Sequence, residues 1–272
     1  MLRRLILALA VSALLGTSAS AQVVRFQTTM GDFDMVLNPT NNPRLQGHVD
    51  NLLAYVEDER YRGVWINRAA ENFVLQMGGF YSHTKRPPPL FASTGNVQTF
   101  APVRGEPGIP GLSNTVGTVS MALQPNNPNS GTSSFFVNLA NNSGLDNQFT
   151  VFAAIPNMTV INAIMALPQQ DLTTHFGLDP GNLAFIDVPI MDDGKQVFIK
   201  RAFVVTDAMT IAMANSAVAP LMAASLAAAG SGGLNGASTP AAASSATAVP
   251  EPSGVALLLV AAVGTAMLLR RR

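Results

Sequence analysis

Residues 67–80, NRAAENFVLQMGGF, combine an arginine, a phenylalanine five positions later and a glutamine three positions beyond that. In an extended strand successive side chains point to opposite faces, so Phe73 and Met77 point one way while Val74 and Gln76 point the other. Polar and apolar groups therefore share one short segment. This pattern is typical of a shallow pocket that holds an apolar ring while a cation and an amide contact the adjacent backbone.

The flanking sequence predicts a mainly β chain with two helices. Residues 23–28 and 33–37 alternate apolar and polar side chains around a Met-Gly-Asp turn, which is typical of a β-hairpin. Apolar residues at helical spacing follow Pro43 and again follow Asn157. Further short strands are predicted over residues 117–122, 134–139, 149–155 and 196–205. Short strands with two separated helices favour a β-barrel capped by helices.

The first 21 residues have the pattern of a cleavable export signal. Arg3 and Arg4 precede an apolar run over residues 5–15, and Ala19-Ser20-Ala21 follows it. A membrane anchor is the alternative, but the run is short for a membrane span. We therefore expect residues 1–21 to be a signal peptide and the mature chain to be exported, to the periplasmic side of the membrane or to the cell surface.

The last 24 residues, 249–272, have the pattern of a membrane-associated tail. VPEP at residues 249–252 precedes an apolar run over residues 255–269, and three arginines end the chain. As a helix that run covers roughly 22 Å, less than the ~30 Å of hydrocarbon in a bilayer, and the arginines favour a cytoplasmic end. A simple tail anchor is one interpretation. The order of elements also resembles the PEP-CTERM sorting signal of bacteria that make exopolysaccharide, and this resemblance implies an exosortase-type membrane protease as a processing partner.

One domain-sized block, residues 22–207, lies between these ends and is followed by an Ala, Ser and Gly-rich segment, residues 208–248. The segment has no charged and no aromatic residue, so we expect a linker that cannot fold alone. Residues 208–229 are compatible with a transient helix whose Met and Leu side chains pack on the domain, whereas residues 230–248 are expected to be flexible.

Composition excludes several classes of function. Lys plus Arg and Asp plus Glu each number 16, and residues 22–248 contain no basic block, so nucleic acid is not an expected partner. The absence of cysteine excludes disulfides, thiol catalysis and thiolate metal sites. His48, His83 and His175 lack ligand spacing, so no metal site is expected.

Six segments in order resemble the cyclophilin-type peptidyl-prolyl isomerases. They are TTMGDFDMVL (28–37), HVDNLLAYVEDERYRGVWINR (48–68), NFVLQMGGF (72–80), GTVSMA (117–122), SSFFVNL (133–139) and LDNQFTVFAAI (145–155). The resemblance implies a closed eight-stranded antiparallel barrel and catalysis of cis-trans isomerisation at X-Pro bonds of proline-containing polypeptides, with no cofactor and no metal.

The resemblance also implies roles for individual residues. Arg68 matches the catalytic arginine, and Gln76 matches the glutamine beside it. The positions that form the proline pocket and the peptide groove in the family are Phe73, Val74, Ala122, Ser134, Phe136, Leu145 and Phe149.

Five positions depart from the family pattern: Asn67, Met77, Leu123, Ser134 and Gly144. The usual residues there are a histidine, a glycine, a groove asparagine, a second glutamine and a tryptophan-type wall. These changes mainly affect recognition of the peptide backbone. An alternative interpretation is therefore a catalytically weak or inactive cyclophilin-like module that binds Pro-containing segments or a polysaccharide at the cell surface or in the exopolysaccharide matrix. A purely structural tethered protein with a closed pocket is a third possibility.

Overall fold

The computed structural model describes residues 21–82, 94–176 and 183–231. The predicted export signal before Ala21, the predicted flexible segment after residue 231 and the sorting tail at residues 249–272 lie outside the described residues. So does His83.

Eight of the eleven described strands form the wall of a nearly closed antiparallel barrel. In chain order the strands are β1 (Val23–Thr28), β2 (Gly31–Leu37), β3 (Val64–Ala70), β4 (Val74–Ser82), β5 (Thr94–Asn96), β6 (Thr118–Met121), β7 (Phe135–Asn138), β8 (Val151–Ala154), β9 (Gln169–Gln170), β10 (Val188–Pro189) and β11 (Ile199–Val204). The barrel strands follow the order β11-β1-β2-β8-β6-β7-β4-β3, while β5 extends β4 and β9 pairs with β10. The predicted barrel is confirmed.

The two ends of this sheet, β3 and β11, meet through backbone hydrogen bonds. The Ile66 N–H donates to the Val197 carbonyl at 3.0 Å, and the Gly63 N–H donates to the Ile199 carbonyl at 2.9 Å. Because the contact covers both end strands, little unpaired sheet edge remains there.

The described part of the chain has three α-helices outside the barrel wall: α1 (Gln46–Glu57), α2 (Thr159–Met165) and α3 (Ala208–Ser231). The predicted start of the first helix is confirmed: Pro43 lies in a 3-10 turn before α1, and the Asn42 side chain accepts the Arg44 N–H at 3.0 Å. Helix α2 follows Asn157 as predicted. The barrel prediction contained two helices, so α3 is an additional one.

Aromatic rings fill the barrel interior. Phe26 stacks on Phe33 with 5.2 Å between ring centroids, and Phe135 lies 5.6 Å from Phe26 and 6.0 Å from Tyr61. All four rings are buried. Full burial of one such ring contributes about 1.5–3 kcal/mol, so this cluster is a main source of barrel stability.

A second aromatic cluster lies on the outer face of β3. Trp65 stacks on Phe185 at 5.3 Å, and Phe80 and Phe176 lie within 6.2 Å of Trp65. Phe185 belongs to a 3-10 turn, Leu183–Phe185, in a loop region for which the sequence predicted no structure. The cluster holds this region against β3, the strand that carries Arg68.

Helix α3 lies along the barrel with one face buried. Its buried or half-buried positions recur every three or four residues, and they pack on Val23, Val36, Ala154 and Val205. They include Ile211, Ala214, Val218, Leu221, Met222 and Ser225. Residues 208–229 are long and apolar enough to cross a membrane, with a mean hydropathy of 1.5. The face away from the barrel is apolar as well, since Met209, Met213 and Leu226 are exposed, so it is the contacts of the buried stripe that show packing on the domain. From the sequence, residues 208–229 were part of a linker compatible with a transient helix that packs on the domain, and the structure has a packed helix over Ala208–Ser231.

Gly78 in β4 lies where the backbone of the neighbouring strand β7 approaches most closely. Its φ is +100°, and a Cβ at this position would overlap the Ser133 carbonyl oxygen and lie 3.0 Å from the Ser134 Cα. Gly63 has a similar φ of +78° but no atom within 4 Å of its Cβ position. Alanine substitutions at the two glycines therefore distinguish the cost of backbone strain from the cost of steric overlap.

We expect Gly63→Ala to lower the free energy of unfolding by about 1–2 kcal/mol, through the left-handed backbone alone. Gly78→Ala should cost roughly 2 kcal/mol more, because overlap with backbone atoms is added to that strain. Urea unfolding of both variants beside the wild type measures the difference. Equal losses in the two variants would show that β4 and β7 do not need this close approach.

His48 in α1 is a neutral histidine enclosed by the core. Its ring lies 5.9 Å from the Phe152 ring, and neither ring nitrogen has a hydrogen-bond partner within the described part of the chain. Burial lowers the pKa of His48 to about 4, and the nearby Glu106 carboxylate opposes this only in part. The folded state therefore binds a proton less readily than the unfolded state, in which the pKa of His48 has its ordinary value of 6.5.

The contribution of His48 to stability should be complete above about pH 6.5 and should decline as the pH falls towards 4, by about 3 kcal/mol in total. We expect His48→Phe to reduce this acid destabilisation, measured as the free energy of unfolding at pH 7, 5.5 and 4.5. His175→Gln, a change at an exposed histidine, is the control. A His48→Phe curve parallel to the wild-type curve would contradict this prediction.

Candidate active site

A β-bulge in β3 determines where Arg68 points. Ile66 pairs with Met77 of β4, yet Arg68 pairs with Gln76, so two steps along β3 correspond to one step along β4. In a regular ladder Arg68 would lie opposite Leu75 and on the other face of the sheet. The bulge leaves Asn67 as the extra residue, and the Asn67 side-chain amide donates to the Ala184 carbonyl at 2.9 Å. A bulge of this kind re-aims a side chain.

Arg68, Gln76 and Phe136 form one row across three strands. Gln76 pairs with Arg68 on one side and with Phe136 of β7 on the other. Directly opposed residues in an antiparallel sheet place their side chains on the same face, with Cβ atoms about 4.5–5.5 Å apart. Met77 and Phe135 face the barrel interior, so this row lies on the outer face of the wall. The structure thus brings together the cation, the amide and one ring predicted from the sequence.

Arg68 is only 6% exposed, yet its guanidinium keeps unused hydrogen-bond donors. The Nε and Nη1 atoms have no hydrogen-bond partner among residues 21–82, 94–176 and 183–231. The Cζ atom lies 5.7 Å from the centre of the Phe73 ring. Burial lowers the pKa of Arg68 from its ordinary value, and the negative charge of Asp187 opposes this shift. An arginine remains charged at such a site, so the group is a buried cation with free N–H donors.

Asp187 is a neighbour of this cation that sequence reasoning missed. Its backbone carbonyl accepts the Ala69 N–H at 2.7 Å, which fixes it beside β3. Burial raises the pKa of the Asp187 carboxyl, and the positive charge of Arg68 offsets only part of this rise. The residue belongs to a long loop region whose sequence shows no motif, so only tertiary structure reveals its place.

Ser134 directs its hydroxyl into the sheet. It is fully buried, and its Oγ donates to the Met77 carbonyl at 3.2 Å. The Gln76 side-chain nitrogen lies 3.5 Å from the same Oγ, at the long limit of a hydrogen bond. The position that resembles a peptide-contacting glutamine is therefore occupied by a short side chain that contacts the protein itself.

The predicted ring pocket is assembled from β7 and the loop that follows it. The Phe136 and Phe149 rings meet edge to face, 5.4 Å apart, and Leu145 lies in the same core cluster. The Phe149 N–H donates to the Leu145 carbonyl at 2.9 Å. Phe73 is half-buried, whereas Phe136 is fully buried. These side chains form an apolar group beside the face that carries the arginine, and Phe73 is its most exposed member.

Two further predicted positions are both buried side chains of the barrel. Val74 is fully buried at the start of β4, and Ala122 is fully buried directly after β6. The Ala122 N–H donates to the Ser134 carbonyl at 3.0 Å. At Gly144 no atom lies within 4 Å of the Cβ position, so this side of the pocket is open where the resemblance implies a bulky wall.

Asn142 and Asp146 anchor the pocket loop, and both were absent from the predicted site. The Asn142 side-chain amide donates to the Phe73 carbonyl at 2.9 Å, and the Asp146 carboxylate accepts three hydrogen bonds from Ser113 and Asn114. Their polar side chains next to Leu145 were the only sequence signal. Within the described parts of the chain, no group of three or more His, Cys, Asp or Glu side chains is placed to hold a metal ion.

Comparisons with known proteins identify the family of this chain. The sequence profile of the family described as "Cyclophilin type peptidyl-prolyl cis-trans isomerase/CLD" matches residues 23–177, which is more than half of the chain. A peptidyl-prolyl cis-trans isomerase of Acinetobacter baylyi is 29% identical over 196 residues, or 70% of this chain and 96% of the relative. Peptidyl-prolyl cis-trans isomerase A of Dickeya dadantii is 33% identical over 123 residues, or 45% of this chain and 57% of the relative.

A similar solved structure is the Cryptosporidium parvum cyclophilin type peptidyl-prolyl cis-trans isomerase, crystallised in the presence of the dipeptide Ala-Pro. It has a TM-score of 0.47 and 18% sequence identity, and the match covers 68% of this chain and 100% of that chain. The family match, which starts at the first strand and includes Arg68, Gln76 and Phe136, carries the assignment. The chain belongs to the cyclophilin-type peptidyl-prolyl cis-trans isomerases.

Proposed function

We propose that this isomerase acts on X-Pro bonds of exported or surface polypeptides and that Arg68 is its catalytic residue. The single observation that carries the proposal is the state of Arg68. It is a nearly buried cation, two of its nitrogen atoms have no hydrogen-bond partner among the described residues, and it lies in one cross-strand row with Gln76 and Phe136.

The chemistry needs only a hydrogen-bond donor and a ring pocket. Rotation about a peptide bond has a barrier of roughly 18–20 kcal/mol because the nitrogen lone pair is delocalised into the carbonyl. As the X-Pro bond twists, the prolyl nitrogen becomes pyramidal and its lone pair becomes available. An N–H of Arg68 then donates to that nitrogen, and the contact is stronger in the twisted state than in either planar state. The barrier falls for this reason.

The other site residues position the guanidinium and the proline ring. Gln76, opposite Arg68, orients the guanidinium, and the low polarity around it strengthens the donated hydrogen bond. Phe136, Leu145 and Phe149 hold the proline ring, so rotation occurs on the acyl side of the bond. Phe73 covers the guanidinium from the side.

Substrate backbone recognition is the part of the site that differs from the family pattern. The inward-facing Ser134 hydroxyl and the open position at Gly144 remove contacts on the peptide side. These two observations favour, as a second candidate, a module that binds Pro-containing segments with little or no turnover. Binding of a proline tetrapeptide without acceleration of its isomerisation would identify that second function.

Export and surface placement are supported by the ends of the chain. The signal pattern in residues 1–21 would direct the protein across the membrane. The VPEP motif with the apolar run at residues 255–269 would then hold it at the membrane until an exosortase-type protease processes the tail. On this proposal the substrates are the polypeptides of the same compartment, outside the cytoplasm.

Arg68→Ala should lower kcat/KM for a proline tetrapeptide by about 100-fold, because the donor acts only in the twisted state. The variant should be at least as stable as the wild type, since a buried cation without a close partner is costly. A protease-coupled isomerisation assay and urea unfolding check both statements. The matched control is Arg62→Ala, which removes an arginine whose side chain is 74% exposed. Equal rates for Arg68→Ala and the wild type would remove the catalytic assignment.

Replacing Pro250, Glu251 and Pro252 together with alanine in the native host should retain the unprocessed chain in the membrane fraction. The reason is that the protease would no longer recognise the motif, while the apolar run would be unchanged. Immunoblots of membrane and extracellular fractions measure the outcome, and Pro240→Ala, in the preceding linker, is the control. A variant that is shortened and released like the wild type would refute the sorting proposal.

A further inference from the structure

Helix α3 is the one described helix that begins after the family match has ended. The match covers residues 23–177, whereas α3 spans Ala208–Ser231. We propose that α3 holds the wall of the proline pocket in place and that Ser225 is its positioning residue. This inference rests on the proposed pocket of Phe136, Leu145 and Phe149.

Ser225 forms a two-way contact with the backbone of Ser113. The Ser113 N–H donates to the Ser225 Oγ at 2.6 Å, and the Ser225 hydroxyl donates to the Ser113 carbonyl at 3.1 Å. Both serines are fully buried. A buried backbone N–H needs a partner, so the position of Ser113 depends on a side chain that belongs to α3.

Ser113 and the residue after it in turn hold Asp146 by hydrogen bonds. Its hydroxyl donates to the Asp146 Oδ2 at 2.5 Å, and the backbone and side-chain N–H groups of Asn114 donate to the Oδ1 at 2.7 and 2.9 Å. The Gly108 N–H donates to the Asp146 carbonyl at 2.7 Å. Four hydrogen bonds from one loop therefore hold Asp146, and charge on the carboxylate strengthens three of them.

Asp146 directly follows Leu145, the pocket wall. Leu145 ends a 3-10 turn, Ser143–Leu145, and is not part of a strand, so its position depends on contacts of the loop itself. The Leu145 carbonyl accepts the Phe149 N–H, which connects the second wall residue to the first. Movement of Asp146 would therefore shift two sides of the proline pocket.

A second branch of the same network reaches Phe73. The Asn142 N–H donates to the Asn114 carbonyl at 2.7 Å, and the Asn142 side-chain amide donates to the Phe73 carbonyl at 2.9 Å. Ser113 and Asn114 thus connect α3 to the pocket wall and to the ring beside Arg68. The network reaches the substrate-binding side of the site but makes no hydrogen bond to the Arg68 guanidinium.

Apolar contacts place α3 along the whole loop. A methyl group at Gly111 would lie 3.2 Å from the Leu226 Cδ1, and one at Gly117 would lie 3.3 Å from the Leu221 Cδ1. These two glycines flank Ser113 and Asn114. Nearer the start of the helix, Ala214 and Val218 pack in one buried cluster with Val23 and Val205, which holds α3 against β1.

The test uses the full chain with Ser225→Ala, Ser113→Ala and the double variant. Ser225→Ala removes the contact between α3 and the loop, and Ser113→Ala removes the next hydrogen bond, to Asp146. Ser216→Ala, at an exposed serine of the same helix, is the control. The measurements are kcat and KM for an Ala-Pro tetrapeptide, and its Kd by titration, at a temperature well below unfolding.

We expect each single change to raise KM and Kd about threefold to tenfold, the effect of one lost hydrogen bond. The value of kcat should change by less than about twofold, because the Arg68 donor is unchanged. The double variant should show clearly less than the summed effect, since the two hydroxyls act in series. Ser216→Ala should equal the wild type.

Unchanged KM and Kd in Ser225→Ala, with or without a lower Tm, would overturn the inference, because α3 would then be only a stabilising element. Additive effects in the double variant would also overturn it. If Ser225→Ala does not fold, the same measurement is made on Ser225→Cys and Ser113→Ala. Cysteine keeps the size of the serine side chain but is a weaker hydrogen-bonding group. A wild type that binds the peptide without turnover would refute the proposed catalysis, while the Kd values would still decide the role of α3.

Discussion

A guanidinium buried without a close carboxylate partner is the constraint on which the rest of the site depends. Removing a charge from water costs free energy that is normally recovered by an ion pair or by hydrogen bonds. At Arg68 two nitrogen atoms lack such partners within the described residues, and Asp187 supplies only a nearby negative charge. The surrounding fold has to offset this cost. On the proposed mechanism, the prolyl nitrogen of a bound substrate accepts a hydrogen bond from Arg68 at the moment of rotation.

The two aromatic clusters explain how the fold holds this cation. The interior rings of Phe26, Phe33, Tyr61 and Phe135 stabilise the barrel wall from inside. The outer cluster around Trp65 holds the Leu183–Phe185 turn, and with it Asp187, against β3. The strand that carries Arg68 is therefore packed on both faces, and its bulge is kept in one register. A rigid wall of this kind is what a preorganised donor requires.

The sequence predicted the elements with clear local signals and missed the features that depend on tertiary contacts. The hairpin of β1 and β2 and the start of α1 at Pro43 follow from alternation and capping, so they were predictable. The bulge at Asn67 was not, because the number of residues opposed across two strands is a property of the pair. The nine residues carried over from the family resemblance placed Arg68, Gln76 and Phe136 on neighbouring strands. Asp187 and Ser225, in contrast, lie in segments that the resemblance does not cover. Helix α3 was not predictable for the same reason. An Ala-rich segment without charge is compatible with a linker, and only packing on the barrel stabilises it as a helix.

The catalytic account places a donor of Arg68 at the prolyl nitrogen of a bound substrate, and an experimental structure with an Ala-Pro peptide tests this most directly. The account predicts a guanidinium nitrogen within about 3.2 Å of the prolyl nitrogen, with the proline ring against Phe136. An Arg68 side chain that instead forms a bidentate ion pair with Asp187, or points away from the ring, would contradict it.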